Sequence, residues 1–203
     1  MPFKKLNTPL KDVLEFLEIE EATPFQKKFI PKIKSGANIF AVADDGDGKT
    51  TSLIINTLQK LKSQPIGDNP RALIFVKDKK SALDLEEKFN RFIKQMDLRF
   101  YSVYEKQNRE KQRDAIYIGM DIVITTPKRL LKLYHLNGIN FGDLQLLIIA
   151  DANLLPQEAF AIDIIRVTES LPHCQFVVFS TNYNNKLDSL RDSFMVNAQL
   201  VKG

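Results

Sequence analysis

The sequence predicts an α/β protein, a mainly parallel sheet with helices on both faces. Short β-branched runs alternate with longer amphipathic or charged stretches, and a glycine-containing turn joins the first strong run to a helical stretch. Length and composition agree, because 203 residues that are 44% hydrophobic and 27% charged can bury one sizeable core. Helices at 10–17 and 24–33 precede a strand at 38–42, Asn-Ile-Phe-Ala-Val, and a helix at 50–61 follows it. Two prolines and a glycine make 64–70 a surface loop rather than a domain linker. Beyond it the pattern continues as strand 72–76, helix 81–95, strand 99–103, helix 110–118, strand 122–125 and helix 128–134. Strand 146–149, helix 157–168, strand 176–180 and helix 186–194 complete it. Neither an internal repeat nor a low-complexity tail interrupts the series, so 1–203 reads as a single domain.

A net charge of +4 and a pI near 9.0 permit an anionic partner and equally describe a soluble surface. The single cysteine, Cys174, excludes an internal disulfide framework and a cysteine-based zinc site, which predicts a reducing, cytoplasmic compartment. Lying just before an apolar strand, it reads as a small buried hydrophobe. His135 and His173 sit in unrelated segments with no carboxylate-rich metal pattern nearby. No run approaches the roughly 18 apolar residues of a membrane span, and the start Met1-Pro2-Phe3-Lys4-Lys5 lacks an apolar signal core.

Ligands of parallel α/β sheets gather at the carboxyl ends of the strands. After the first strand, Ala43-Asp44-Asp45-Gly46-Asp47-Gly48-Lys49-Thr50 outlines a phosphate-binding loop. Gly46 and Gly48 supply backbone freedom, the N–H groups opening the next helix face an anion, Lys49 reaches the outer phosphates and Thr50 holds Mg²⁺. Ala43 stands where the strict pattern begins with Gly, and the same residues also suit a plain strand-turn-helix joint. Asp44, Asp45 and Asp47 are the unusual feature. A carboxylate about 4 Å from a phosphate opposes it by about 1 kcal/mol in water and about 4 kcal/mol at an intermediate dielectric, unless it points outward or recruits a metal ion.

Two further segments look like anion sites or simple helix starts. Thr23-Pro24-Phe25-Gln26 has Thr as N-cap, Pro at the first position and Gln closing a capping box. In Thr126-Pro127-Lys128-Arg129, Thr126 caps, Pro127 starts the helix, and free N–H groups with Lys128 and Arg129 offer donors to phosphate.

Taken in order, these segments resemble the N-terminal RecA-like, ATP-binding domain of the DEAD-box RNA helicases, from Phe3 to about Val201. The resemblance implies a RecA-like (P-loop NTPase) three-layer sandwich. Residues 18–26 are similar to the family's adenine-reading segment, which makes 1–35 that segment with its flanking helices. Gln26 is implied to hydrogen-bond adenine and Phe3 to stack on it, and Gly46, Gly48, Lys49, Thr50 and Thr51 complete the implied nucleotide site. ATP or ADP with Mg²⁺ are the implied cofactors. Thr126, Pro127, Lys128 and Arg129 resemble the motif that grips the backbone of single-stranded RNA. Lys79 occupies the place of an RNA-contacting Arg, keeping the charge without the bidentate geometry. Tyr104-Glu105-Lys106 replaces a Tyr-Gly-Gly whose glycines allow close backbone approach.

Departures cluster where hydrolysis would occur. Ala150-Asp151-Ala152-Asn153 replaces Asp-Glu-Ala-Asp, so the implied Mg²⁺ anchor is lost and Asp151 is the remaining catalytic candidate. Neighbours at a strand end point to opposite faces, and Asp is a methylene shorter than Glu, so Asp151 is expected to be misdirected. Ser180 and Thr181, in place of the family's Ser-Ala, are expected to hydrogen-bond Asn153 in a neutral version of the motif coupling. The second RecA-like domain, which carries the family's arginine fingers, is expected to be absent. The implied function is binding of adenine nucleotide and single-stranded RNA, with hydrolysis impaired or absent and no unwinding by this chain alone. Two alternatives stay open: a catalytically inactive module for a protein partner, and an ATPase half completed by another chain. No membrane partner is expected.

Overall fold

Alternation of side chains along each strand sorts the apolar residues into two cores. The computed structural model describes residues 2–156, 159–171 and 173–203. Strands β1 (Ile39–Val42), β2 (Ala72–Phe75), β3 (Phe100–Val103), β4 (Ile122–Thr125), β5 (Leu146–Ile149), β6 (Gln175–Ser180) and β7 (Gln199–Lys202) form one sheet in the order β3-β4-β2-β5-β6-β1-β7. Every strand pairing among the described residues is parallel. Ile39, Ala41, Ile74, Ile124, Ile148 and Phe179 face helices α1 (Thr8–Phe16), α2 (Pro24–Ile33), α3 (Lys49–Lys60) and α4 (Lys79–Ile93). Phe40, Val42, Leu73, Phe75, Val123 and Val178 face α5 (Arg109–Tyr117), α6 (Pro127–His135), α7 (Ile165–Glu169) and α8 (Asn185–Ser193). Burial on both faces is why the central strands read as continuous apolar runs.

Helix starts follow the capping residues. Thr23 caps α2 through a full capping box with Gln26, as the sequence predicts. The Ser81 N–H bonds the Asp78 carboxylate at the start of α4 and holds its carboxyl below the ordinary value. Strand β7 was not foreseen. It is four residues, Gln-Leu-Val-Lys, at the sheet edge, too short and too exposed for a period-2 pattern, and its pairing with β1 places it. Of the helix expected at 157–168, residues 157 and 158 lie outside the described residues. The remainder is helical as expected, a π-helix over Ala159–Ile164 running into α7.

The end of the sheet opposite the strands' carboxyl ends is held by charge. Arg71, 2% exposed, donates from Nη2 to Asp121 Oδ1 at 2.7 Å, and Asp121 is itself fully buried. Asp121 Oδ2 also accepts from the Arg99 N–H at 3.0 Å and from its Nε at 3.2 Å. Burial pushes the Asp121 carboxyl up, but the bonds from Arg99 and Arg71 outweigh it and leave the group below its ordinary value.

Cys174 is buried just before β6, and burial pushes its thiol up to about 12. At pH 8 its thiolate is so scarce that iodoacetamide is expected to alkylate it roughly a thousandfold more slowly than a free cysteine, read by mass spectrometry of the native chain. Modification at the rate of a free thiol would contradict the burial.

Candidate functional site

All the candidate segments except the adenine-reading one leave the carboxyl edge of the parallel sheet, after β1, β2, β3, β4, β5 and β6. After β1 the chain turns through Gly46 (φ +97°) and Gly48 (φ +85°) into α3. Gly48 is favoured by its left-handed backbone, and a Cβ there would lie 2.5 Å from Gln26 Nε2, so the Gln26 side chain would have to shift. The loop is strapped to the start of α2: the Thr23 hydroxyl donates to the Asp47 carbonyl at 2.7 Å, and Gln26 Nε2 to the Gly48 carbonyl at 3.3 Å.

The three loop carboxylates have different fates. Asp47 Oδ2 turns back on its own loop and accepts the Asp44 N–H at 3.1 Å, while Asp44 is exposed. Asp45 Oδ1 lies 2.9 Å from Lys49 Nζ, with Lys49 9% and Asp45 91% exposed. The lysine that would meet a phosphate thus meets a carboxylate from its own loop. Thr50 and Thr51 follow in the first turn of α3, both half-buried.

Lys49, Thr50, Val76, Ser81, Ala150 and Asp151 border a cavity of about 150 Å³. That is below the few hundred Å³ of a small-molecule site. Asp151 reaches this cavity as Ala150 does, contrary to the expectation of opposite faces. The reason is that β5 ends at Ile149, so alternation no longer governs the two residues that follow. Burial pushes the Asp151 carboxyl up from its ordinary value, with nearby Lys49 opposing that shift. For Mg²⁺ the side chains bordering the cavity that carry an oxygen are Thr50, Ser81, Asp84 and Asp151, while Ala150 offers no side-chain oxygen. Mg²⁺ takes oxygens in near-octahedral array, and at the end of β5 the residue in the place of the family's anchoring Asp supplies none from its side chain.

Phe3 and Gln26, paired by the sequence reading, have separate surroundings. Phe3 lines a cavity of about 810 Å³ with Lys4, Glu20, Ala22, Lys27 and Ile30. Gln26 is 3% exposed and both ends of its amide are engaged, Oε1 by the Thr23 N–H at 3.0 Å and Nε2 by Gly48. Asn153 does reach its expected partners: its Oδ1 accepts the Thr181 N–H at 3.3 Å. Ser180 Oγ is 3.5 Å from Asn153 Oδ1 but donates at 2.7 Å to the Asn182 carbonyl, so the Thr181 bond carries the contact.

At the start of α6 the Thr126 side chain does not cap its own helix; its hydroxyl donates to Glu105 Oε1 at 2.9 Å. Pro127 opens the helix and Lys128 is exposed. Arg129 is 5% exposed, donating from Nε to Gln112 Oε1 at 2.6 Å and from Nη2 to the Gln107 carbonyl at 2.8 Å. Burial, with Arg109 nearby, pulls its basicity below the ordinary value. Lys79 Nζ lies 5.3 Å from the Tyr104 ring centre, a cation-π contact. Glu105, Gln107 and Gln112 were not foreseen as partners; the Glu in place of a family Gly was the only signal.

A family model for the DEAD/DEAH box helicase matches residues 23–190. The chain belongs to that family. Among DEAD-box relatives, the pre-mRNA-processing ATP-dependent RNA helicase PRP5 of Meyerozyma guilliermondii is 29% identical over all of this chain and 25% of its own length. The ATP-dependent RNA helicase CshA of Streptococcus pneumoniae is also 29% identical, over all of this chain and 39% of its own length. This DEAD-box chain therefore spans a quarter to two-fifths of those relatives. In fold it is similar to a DEAD box protein from the hyperthermophile Methanococcus jannaschii, with a TM-score of 0.87 and 19% identity over 98% of this chain and 54% of that one. A hypothetical ATP-dependent RNA helicase from Sulfolobus tokodaii gives a TM-score of 0.84 and 22% identity over 98% of this chain and 57% of that one. The fold is the RecA-like sandwich of those neighbours. No helix among the described residues is long and apolar enough to cross a membrane.

Proposed function

We propose that residues 1–203 act as one RecA-like DEAD-box unit that binds adenine nucleotide at the loop 43–50 and single-stranded RNA backbone at the start of α6, with hydrolysis impaired or absent. The observation that carries this reading is the contrast at one strand edge: a left-handed Gly48 leads into α3 with Lys49 and Thr50 in its first turn, while Ala150 beside them carries no side-chain oxygen. Thr50 is the remaining side-chain candidate for Mg²⁺, and Asp151 is one methylene shorter than the polarising Glu whose place it takes. The retained Asn153 to Thr181 bond supports a residual link between the nucleotide and RNA edges. A reducing cytoplasmic setting suits the lone buried thiol.

Calorimetric titration of the chain with ADP and ATP tests this. The expected result is saturable binding that is lost in Lys49→Ala and that Mg²⁺ changes by less than about threefold, because the anchoring carboxylate is missing. Phosphate release should stay at the level of Lys49→Ala. No heat up to millimolar nucleotide would overturn the reading. A second role, as a protein-interaction module, is favoured by Tyr117 and Ile118, 89% and 75% exposed at the end of α5. A partner that co-purifies with the chain and is unaffected by Lys49→Ala would support it.

A further inference from the structure

One segment, 104–112, engages Lys79, Thr126 and Arg129 together, through the Tyr104 ring, the Glu105 carboxylate, the Gln107 carbonyl and the Gln112 amide. We propose that Glu105 is an internal occupant of the phosphate seat at the start of α6, an autoinhibitory contact by which segment 104–112 keeps single-stranded RNA off this edge. The inference rests on the reading of that edge as an RNA surface.

The chemistry is competition between anions. A helix N-terminus favours a carboxylate for the same reason it favours a phosphate. The Thr126 hydroxyl has a single proton and gives it to Glu105, so a phosphate arriving there finds the donor used and a negative charge beside it. Arg129 cannot answer from solvent, because it is 5% exposed and must first leave Gln112 and Gln107. Gln112 locks the segment in turn by donating to the Tyr104 carbonyl at 3.2 Å. The Glu105 contact is reversible, since that side chain is only half-buried. Outside the seat, exposed charge remains on Lys77, Lys80, Lys106, Arg109 and Lys128, a weak and salt-sensitive hold.

Fluorescence anisotropy of a labelled oligouridylate at about 50 mM salt reads the effect on the whole chain. Glu105→Gln keeps the shape and removes the charge, and is expected to tighten binding by about tenfold. Glu105→Gly is expected to tighten it at least as much, and the glutamine variant stands in for it should the glycine variant not fold. Adding Thr126→Val should remove the gain. A gain that survives Thr126→Val would overturn the proposal, because it would reflect net charge alone. If Lys128→Ala weakens RNA binding while both Glu105 variants bind as the parent does, the RNA surface stands and the autoinhibitory contact falls. Absence of binding in every protein overturns both.

Discussion

Asp121→Ala is expected to destabilise the fold by about 3–5 kcal/mol, because it leaves the buried Arg71 guanidinium without its counter-charge. For a chain of this size that lowers the thermal midpoint by about 10 °C. The exposed partner of the same network is the control: Arg99 Nη1 to Asp68 Oδ1 at 3.3 Å, with Asp68 78% exposed, is a surface pair worth at most about 1 kcal/mol. Asp68→Ala should therefore move the midpoint by only a few degrees. The pH dependence has a fixed sign. The Asp121 carboxyl lies below its ordinary value in the folded chain, so its contribution is fully present above the unfolded pKa and is lost as pH falls through the folded one. The parent should lose stability on acidification below about pH 4, and Asp121→Ala should lose less there. Equal thermal midpoints for Asp121→Ala and Asp68→Ala would show that the buried pair is not what holds that end of the sheet.

The fold was legible because its signals are local. Ile39 to Val42, Ile122 to Thr125 and Leu146 to Ile149 are apolar runs of strand length, and Thr23, Pro24 and Gln26 make a cap that needs only neighbours in sequence. Strand β7 was illegible because Gln199 to Lys202 becomes a strand only by pairing with β1, a contact remote in sequence. The site was legible as a set of positions and not as a set of contacts. That Lys49 belongs at the phosphate loop follows from Gly48 before it and Thr50 after it. That Asp45 curls onto Lys49 while Asp47 bonds the Asp44 N–H depends on rotamers within one tight turn. Burial of Arg129 was hidden for a related reason, since its partners Gln107 and Gln112 come from another segment and belong to no motif.

Asp45→Thr is expected to tighten nucleotide binding by at least about tenfold, two electrostatic effects adding in the same direction. Removing Asp45 breaks an ion pair that is 91% exposed on the acid side, and such a pair stabilises the free protein by about 0–1 kcal/mol. It also removes a carboxylate that would stand beside the incoming phosphate, a repulsion of about 1 kcal/mol in water and about 4 kcal/mol at an intermediate dielectric. Both changes act in the same direction on affinity: the free state loses a small stabilisation and the bound state loses a larger strain. The gain should be greater for ATP than for ADP, because ATP places more charge near Lys49, and Lys49→Ala in the same background should abolish it. Hydrolysis should not follow affinity, since Ala150 still supplies no side-chain metal ligand and Asp151 is a methylene shorter than the Glu it replaces. Calorimetry and phosphate release measured on the same preparations separate the two properties. Unchanged affinity in Asp45→Thr would mean that the loop swings its carboxylate clear of the phosphates, whereas restored turnover would mean that Asp151 serves as the polarising base after all.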